Sequence, residues 1–138
     1  DNDWDYSRSA GIAIDETNYF SILFCSTISQ KIVRSSVQVK PNEWFHIVLV
    51  QTRNSEDESP EQKLWINGKL EVTTEVPRAA YDSCAKLSLR TKQEFVMKLA
   101  DFSIWSRCLL PIEIRSIYQQ KTSIDNADIA KYIFENQI

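Results

Sequence analysis

Glu43-Trp44-Phe45-His46-Ile47-Val48-Leu49-Val50 and Lys63-Leu64-Trp65-Ile66-Asn67-Gly68-Lys69-Leu70 decide how this chain folds. In the first stretch two apolar series alternate, Trp44/His46/Val48/Val50 and Phe45/Ile47/Leu49. Alternation is the period of a strand, and two apolar sides require cover on both faces, so 44–51 is expected to be a central strand. In the second stretch Asn67-Gly68 is a hairpin signal, because a two-residue type I′ turn needs positive φ at both central positions. A strict two-residue turn between strands 63–66 and 69–76 puts Trp65, Leu70 and Val72 on one face and Leu64 and Ile66 on the other. Either both faces are covered or the hairpin contains a bulge.

Working outward, Gly11–Ile14 and the denser apolar run Tyr19–Cys25 read as strands, the second buried on both faces, with Asp15-Glu16-Thr17-Asn18 as the turn between them. Ile32–Val39 is a further strand, ended by Pro41-Asn42. Arg53–Gln62 carries four acidic residues and no large apolar one, as expected of a solvated loop. Pro77–Ser83 is a second loop, Leu87–Leu89 a short strand and Phe95–Ser106 a long one. The period then changes. Pro111 suits a first helical position, and Ile114, Ile117 and Tyr118 form one stripe with Glu113, Arg115 and Gln119 outside it. Ser123 is placed to cap a second helix carrying Ile124, Ala127, Ala130 and Phe134.

The 138 residues suffice for one domain with a true core. A composition of 43% hydrophobic and 25% charged residues is that of a globular chain, and a net charge of -3 gives no basic stripe for nucleic acid. No apolar run reaches the roughly 18 residues of a membrane span. Cys25, Cys84 and Cys108 are far apart with no CxxC pair, which argues against a thiolate metal site; three buried free thiols are favoured over one disulfide with a spare.

Each chemically suggestive residue has a plainer reading. His46, the single histidine, reads as a hydrogen-bonded core residue, and Trp44 and Trp65 as core fillers rather than sugar-stacking platforms. Glu56, Asp57, Glu58 and Glu61 read as solvation. Asp1, Asp3, Asp5 and Asp15 do not make a convincing calcium set, because calcium needs several converging oxygens. Paired glycosidase carboxylates and a Gly-x-Ser-x-Gly setting have no counterpart, so no catalytic residue, metal ligand or cofactor is expected.

Trp44-Phe45-His46-Ile47, then Leu64-Trp65-Ile66-Asn67-Gly68-Lys69-Leu70, then Leu99-Ala100-Asp101-Phe102-Ser103-Ile104-Trp105-Ser106-Arg107-Cys108-Leu109-Leu110-Pro111-Ile112-Glu113-Ile114 follow one another in an order that resembles the concanavalin A-like lectin and laminin G-like jelly-roll superfamily. The likeness covers roughly 43–118. It implies an all-β, antiparallel jelly-roll β-sandwich with one or two short C-terminal helices. The domain would span 1–121, with 122–138 as a helical tail or linker. In that superfamily the His46 position looks structural, and Asp101 matches a recurrent acid read as a turn or capping residue. An opening Phe-Thr-hydrophobic-x-hydrophobic-Trp strand has no clear counterpart. The resemblance therefore implies either a trimmed piece or opening strands held in a neighbouring segment.

The expected function is a non-catalytic, lectin-like module of a larger protein, serving recognition or architecture through loops near 15–18, 53–62 and 77–83. The expected partner is a protein or neighbouring domain, with a glycan as the second class. A glycan would stack on Tyr81 and hydrogen-bond to Arg53, Asn54 and Asp82. The alternative is an accessory carbohydrate-binding domain of a secreted hydrolase or toxin. Free thiols, no Asn-x-Ser/Thr sequon and the acidic balance lean towards the cytoplasm without fixing the compartment.

Overall fold

The computed structural model describes residues 9–25, 30–52, 61–75, 96–121, 128, 130, 131 and 135. Six strands and one helix follow in order: β1 (Ser9–Ile14), β2 (Tyr19–Cys25), β3 (Gln30–Gln38), β4 (Ile47–Thr52), β5 (Glu61–Ile66), β6 (Lys69–Glu75) and α1 (Pro111–Gln120). They form two antiparallel sheets, β1-β2-β3 and β4-β5-β6. The strands expected at 11–14, 19–25 and 32–39, the 15–18 turn and the Pro111 helix start fall where the pattern puts them. The loops 53–60 and 77–83 and the strand 87–89 lie outside the described residues, as do Ser123, Ile124, Ala127 and Phe134.

The sheets pack face to face through Phe20 and Ile22 of β2 against Leu64 and Ile66 of β5 and Val72 of β6. Phe45, Ile47 and Leu49 join this core, and the Phe20 and Phe45 rings meet edge-on with centroids 5.3 Å apart. Val50, Trp65, Leu109, Ile114 and Ile117 form a second cluster on the other side of the β4-β5-β6 sheet, with Val48 against it. The two apolar series of 44–51 thus part to opposite faces, as the alternation requires. β5 is covered on both sides.

The hairpin is both double-faced and bulged. Asn67 and Gly68 have φ of 51° and 76°, as the tight turn demands. Trp65 then pairs with Leu70, but Leu64 pairs with Val72, leaving Glu71 as the extra residue. One inserted residue inverts the side-chain sense beyond it, so Val72 joins Leu64 and Ile66 instead of Trp65. The Glu71 carboxylate accepts hydrogen bonds from the Ser36 hydroxyl of β3 at 3.0 Å and pairs with Lys69 at 3.3 Å, while Lys31 Nζ donates to the Glu75 carbonyl. These contacts tie the β3 and β6 borders of the two sheets together. β2 and β3 slip similarly. Between the pairs Tyr19↔Gln38 and Ser21↔Arg34, Ser35 turns inward and its Oγ accepts from the Val37 amide.

Five expectations need correction. Trp44 is 67% exposed rather than core, and β4 is an edge strand among the described residues, with β5 in the centre. Alternation reports that both faces are covered, not where a strand sits in its ladder. His46 explains the late start of β4: its N–H and C=O are committed to Asn67. Residues 96–106 form no strand; Asp101 adopts φ 52°, which interrupts an extended run, and Val96, Leu99, Phe102 and Ile104 are exposed. Gln62 is fully buried in β5, not part of a solvated loop. Cys108 is exposed, not buried.

Candidate functional site

The motif residues converge on one joint, where the segment before β4, the β5–β6 turn and α1 meet. His46 N–H donates to Asn67 Oδ1 at 2.9 Å, and Asn67 N–H donates to the His46 carbonyl at 2.8 Å. This reciprocal pair holds the turn to the strand entry. The His46 ring stacks on Tyr118 of α1, centroids 6.1 Å apart and planes 26° apart. Tyr118 also presses on Gly68, where a Cβ would lie 2.9 Å from Tyr118 Cδ1. Gly68 is therefore required twice, for its positive φ and for the close approach. Burial pushes the His46 imidazole below its usual pKa of 6.5, and Nδ1 is buried with no hydrogen-bond partner. The expectation of a hydrogen-bonded core histidine holds for its backbone but not for this ring nitrogen.

A second set of contacts begins the helix. Arg107 donates to both Glu113 oxygens, at 2.8 and 2.7 Å, and Glu113 Oε2 also accepts the Leu110 amide at 2.7 Å. Glu113 thereby satisfies a backbone group just before α1 and fixes the approaching chain. The Arg107 guanidinium, followed by the Leu110 amide, holds the Glu113 carboxyl down at about 2. Arg107 lies 5.7 Å from the Trp105 ring centre. Beside it, the Cys108 thiol contacts the Gln51 carbonyl of β4 at 3.1 Å. The stripe reading of α1 anticipated Ile114 and Ile117 but missed the clamp, whose signal was a glutamate three residues into a Pro-initiated helix.

In the β1-β2-β3 sheet, Asp15 closes the β1–β2 turn. Its Oδ1 accepts the Thr17 amide (2.9 Å), the Thr17 hydroxyl (2.7 Å) and the Tyr19 amide (3.1 Å), and Oδ2 accepts Arg34 Nε. Burial raises its pKa, but these donors, the Thr17 hydroxyl foremost, outweigh that and bring it to about 2. Arg34 also lies 4.9 Å from the Tyr19 ring centre. Asp15 is committed to the turn, and Asp1, Asp3 and Asp5 lie outside the described residues.

Of the anticipated glycan contacts, Arg53, Asn54, Tyr81 and Asp82 all lie outside the described residues. Cys84 does too, and nothing is described of the Cys25 side chain. Among the described residues no group of three or more His, Cys, Asp or Glu side chains stands together, and no helix is long and apolar enough to cross a membrane. A shallow cavity of about 240 Å³ is lined by Gln120, Asp128, Lys131 and Glu135. There Gln120 exchanges two hydrogen bonds with the Asp128 backbone, and Asp128 Oδ1 accepts the Lys131 amide.

No family model matches the sequence, and no curated protein matches it. Among solved structures, the chain is similar to an S-layer domain-containing protein (residues 221–444) from Clostridium thermocellum ATCC 27405, at 15% identity and a TM-score of 0.41. The match covers 81% of this chain and 64% of that one. A score of that size does not establish a shared topology.

Proposed function

We propose that this domain is a non-catalytic recognition or architectural module, with its two sheets belonging to a lectin-like jelly roll. The observation carrying this reading is where the motif residues spend their hydrogen bonds and contacts. His46, Asn67, Gly68 and Tyr118 lock one another at a single joint, and Arg107 and Glu113 fasten the helix that completes it. Residues used in this way build a frame rather than a reaction centre. Recognition then falls to the loops between strands, which such a frame holds in place.

The two partner classes separate by experiment. A glycan array is probed with the purified chain beside its Tyr81→Ala variant, and bound glycans are recovered and analysed for cleavage. Intact glycans whose capture drops at least tenfold in the variant support recognition through the 77–83 loop. Capture unchanged by the substitution removes that loop as the site, and cleaved glycans overturn the non-catalytic reading. With no glycan bound, crosslinking within the full-length protein tests the architectural role: crosslinks from 15–18 or 53–62 to neighbouring domains support it.

A further inference from the structure

We infer that the contact between α1 and the hairpin is an acid-sensitive latch, in which protonation of His46 raises the population of a state with α1 detached and the two-sheet core still folded. The geometry is specific. The imidazole is the ring at the joint between β4, the β5–β6 turn and α1 that can change charge near neutral pH, and it touches the helix through Tyr118. A neutral imidazole can leave one nitrogen as a bare lone pair at modest cost. Protonated, both nitrogens carry hydrogens, and Nδ1–H would be a buried donor with no acceptor. Detachment of Tyr118 gives that N–H access to water.

The charged groups on the surrounding elements are occupied elsewhere or exposed. From the hairpin, Asn67 faces His46 with its amide, while Lys69 and Glu71 pair with each other. From α1, Tyr118 faces the ring; Glu113 is held by Arg107, and Arg115 and Lys121 are exposed. Glu43, just upstream, is exposed as well. Among the described residues no ion pair involves His46. Burial without a countercharge depresses the folded pKa below 6.5. The latch is therefore fully closed above pH 6.5 and weakens as pH falls towards the folded pKa, where the detached state binds the proton more readily. The carboxylates at about 2 titrate well below this window.

The chain's single histidine makes the test direct. NMR titration of the His46 ring is combined with hydrogen exchange of the α1 amides (Ile114–Gln120) and the β2 amides (Phe20, Ile22) from pH 7.5 to 5. The expected result is a ring midpoint below 6.5, with α1 protection falling about tenfold per pH unit through the window, after correction for intrinsic exchange, and β2 protection constant. His46→Gln should flatten the α1 profile. A midpoint at or above 6.5, α1 protection independent of pH, or equal loss in α1 and β2 overturns the proposal. The wild-type titration alone is sufficient should the variant fail to fold.

Discussion

Leu64 and Ile66 leave β5 on one side and Trp65 on the other, and the two sides are covered by different kinds of partner. The inner side meets a sheet, with Phe20, Ile22 and Val72 among the residues that reach it from elsewhere in the chain. The outer side meets α1 and Leu109, with Ile114 and Ile117 as the anchors. The inner side is closed by apolar packing, with the Ser36–Glu71 and Lys31–Glu75 contacts at its β3–β6 border. The outer side depends as well on polar fastenings at its margins, the His46–Asn67 pair and the Arg107–Glu113 clamp. One strand therefore serves a sheet-to-sheet contact on one side and, on the other, a helix contact whose margin holds the protonatable His46 ring.

The sharpest way to test that division is to empty each side in turn. Leu64→Ala, at a fully buried site, should cost about 2–5 kcal/mol and lower hydrogen-exchange protection throughout both sheets. Ile114→Ala, equally buried, should lower α1 protection most, at a similar or smaller overall cost read from the urea midpoint. Uniform loss in both variants would break the comparison and make the two sides one cooperative unit. Gly68→Ala forces a methyl against Tyr118 at a positive φ and should cost about 1–3 kcal/mol. Combining it with Tyr118→Ala should recover part of that loss; no recovery would mean that backbone strain, not the helix contact, dominates.

Acid should act on the β1–β2 turn and on the start of α1. Asp15 and Glu113 have folded pKa values of about 2, below their usual 3.8 and 4.5. Their stabilisation is present above those usual values and is lost as pH falls from about 4.5 towards 2. Thermal melts across that range should show a falling Tm, with a shallower slope in Asp15→Asn and in Glu113→Gln. An unchanged slope in both would remove the two networks from the account. The smallest effect is expected at Trp44→Ser, within about 0.5 kcal/mol, because the ring lies outside both clusters.

Much of this division was legible in the residues. The alternation in 44–51 correctly separated Phe45/Ile47/Leu49 from Val48/Val50, and the 3.6-residue stripe found Ile114 and Ile117, because periodicity records which side chains need cover. It does not record hydrogen-bond economy. The late start of β4 follows from an exchange between the His46 backbone and the amide and side chain of Asn67, twenty-one residues apart, and the inversion at Val72 from one unpaired residue. Neither leaves a local pattern. Residues 96–106 show the reverse failure: a run apolar on both sides forms no strand once Asp101 takes a left-handed conformation. Of the candidate site, the motif residues were found as frame, whereas Arg53, Asn54, Tyr81 and Asp82 rested on loop composition alone.

The extra residue at Glu71 also bears on how such a domain keeps to itself in a crowded solution. β6 borders its sheet among the described residues, and a regular outer border offers a template for another chain to add to. The displaced Glu71 interrupts that border, and its carboxylate is tied to Ser36 of β3 and to Lys69. An added strand would meet an interrupted ladder there, so the same residue that turns Val72 inward also makes this flank a poorer template for aggregation.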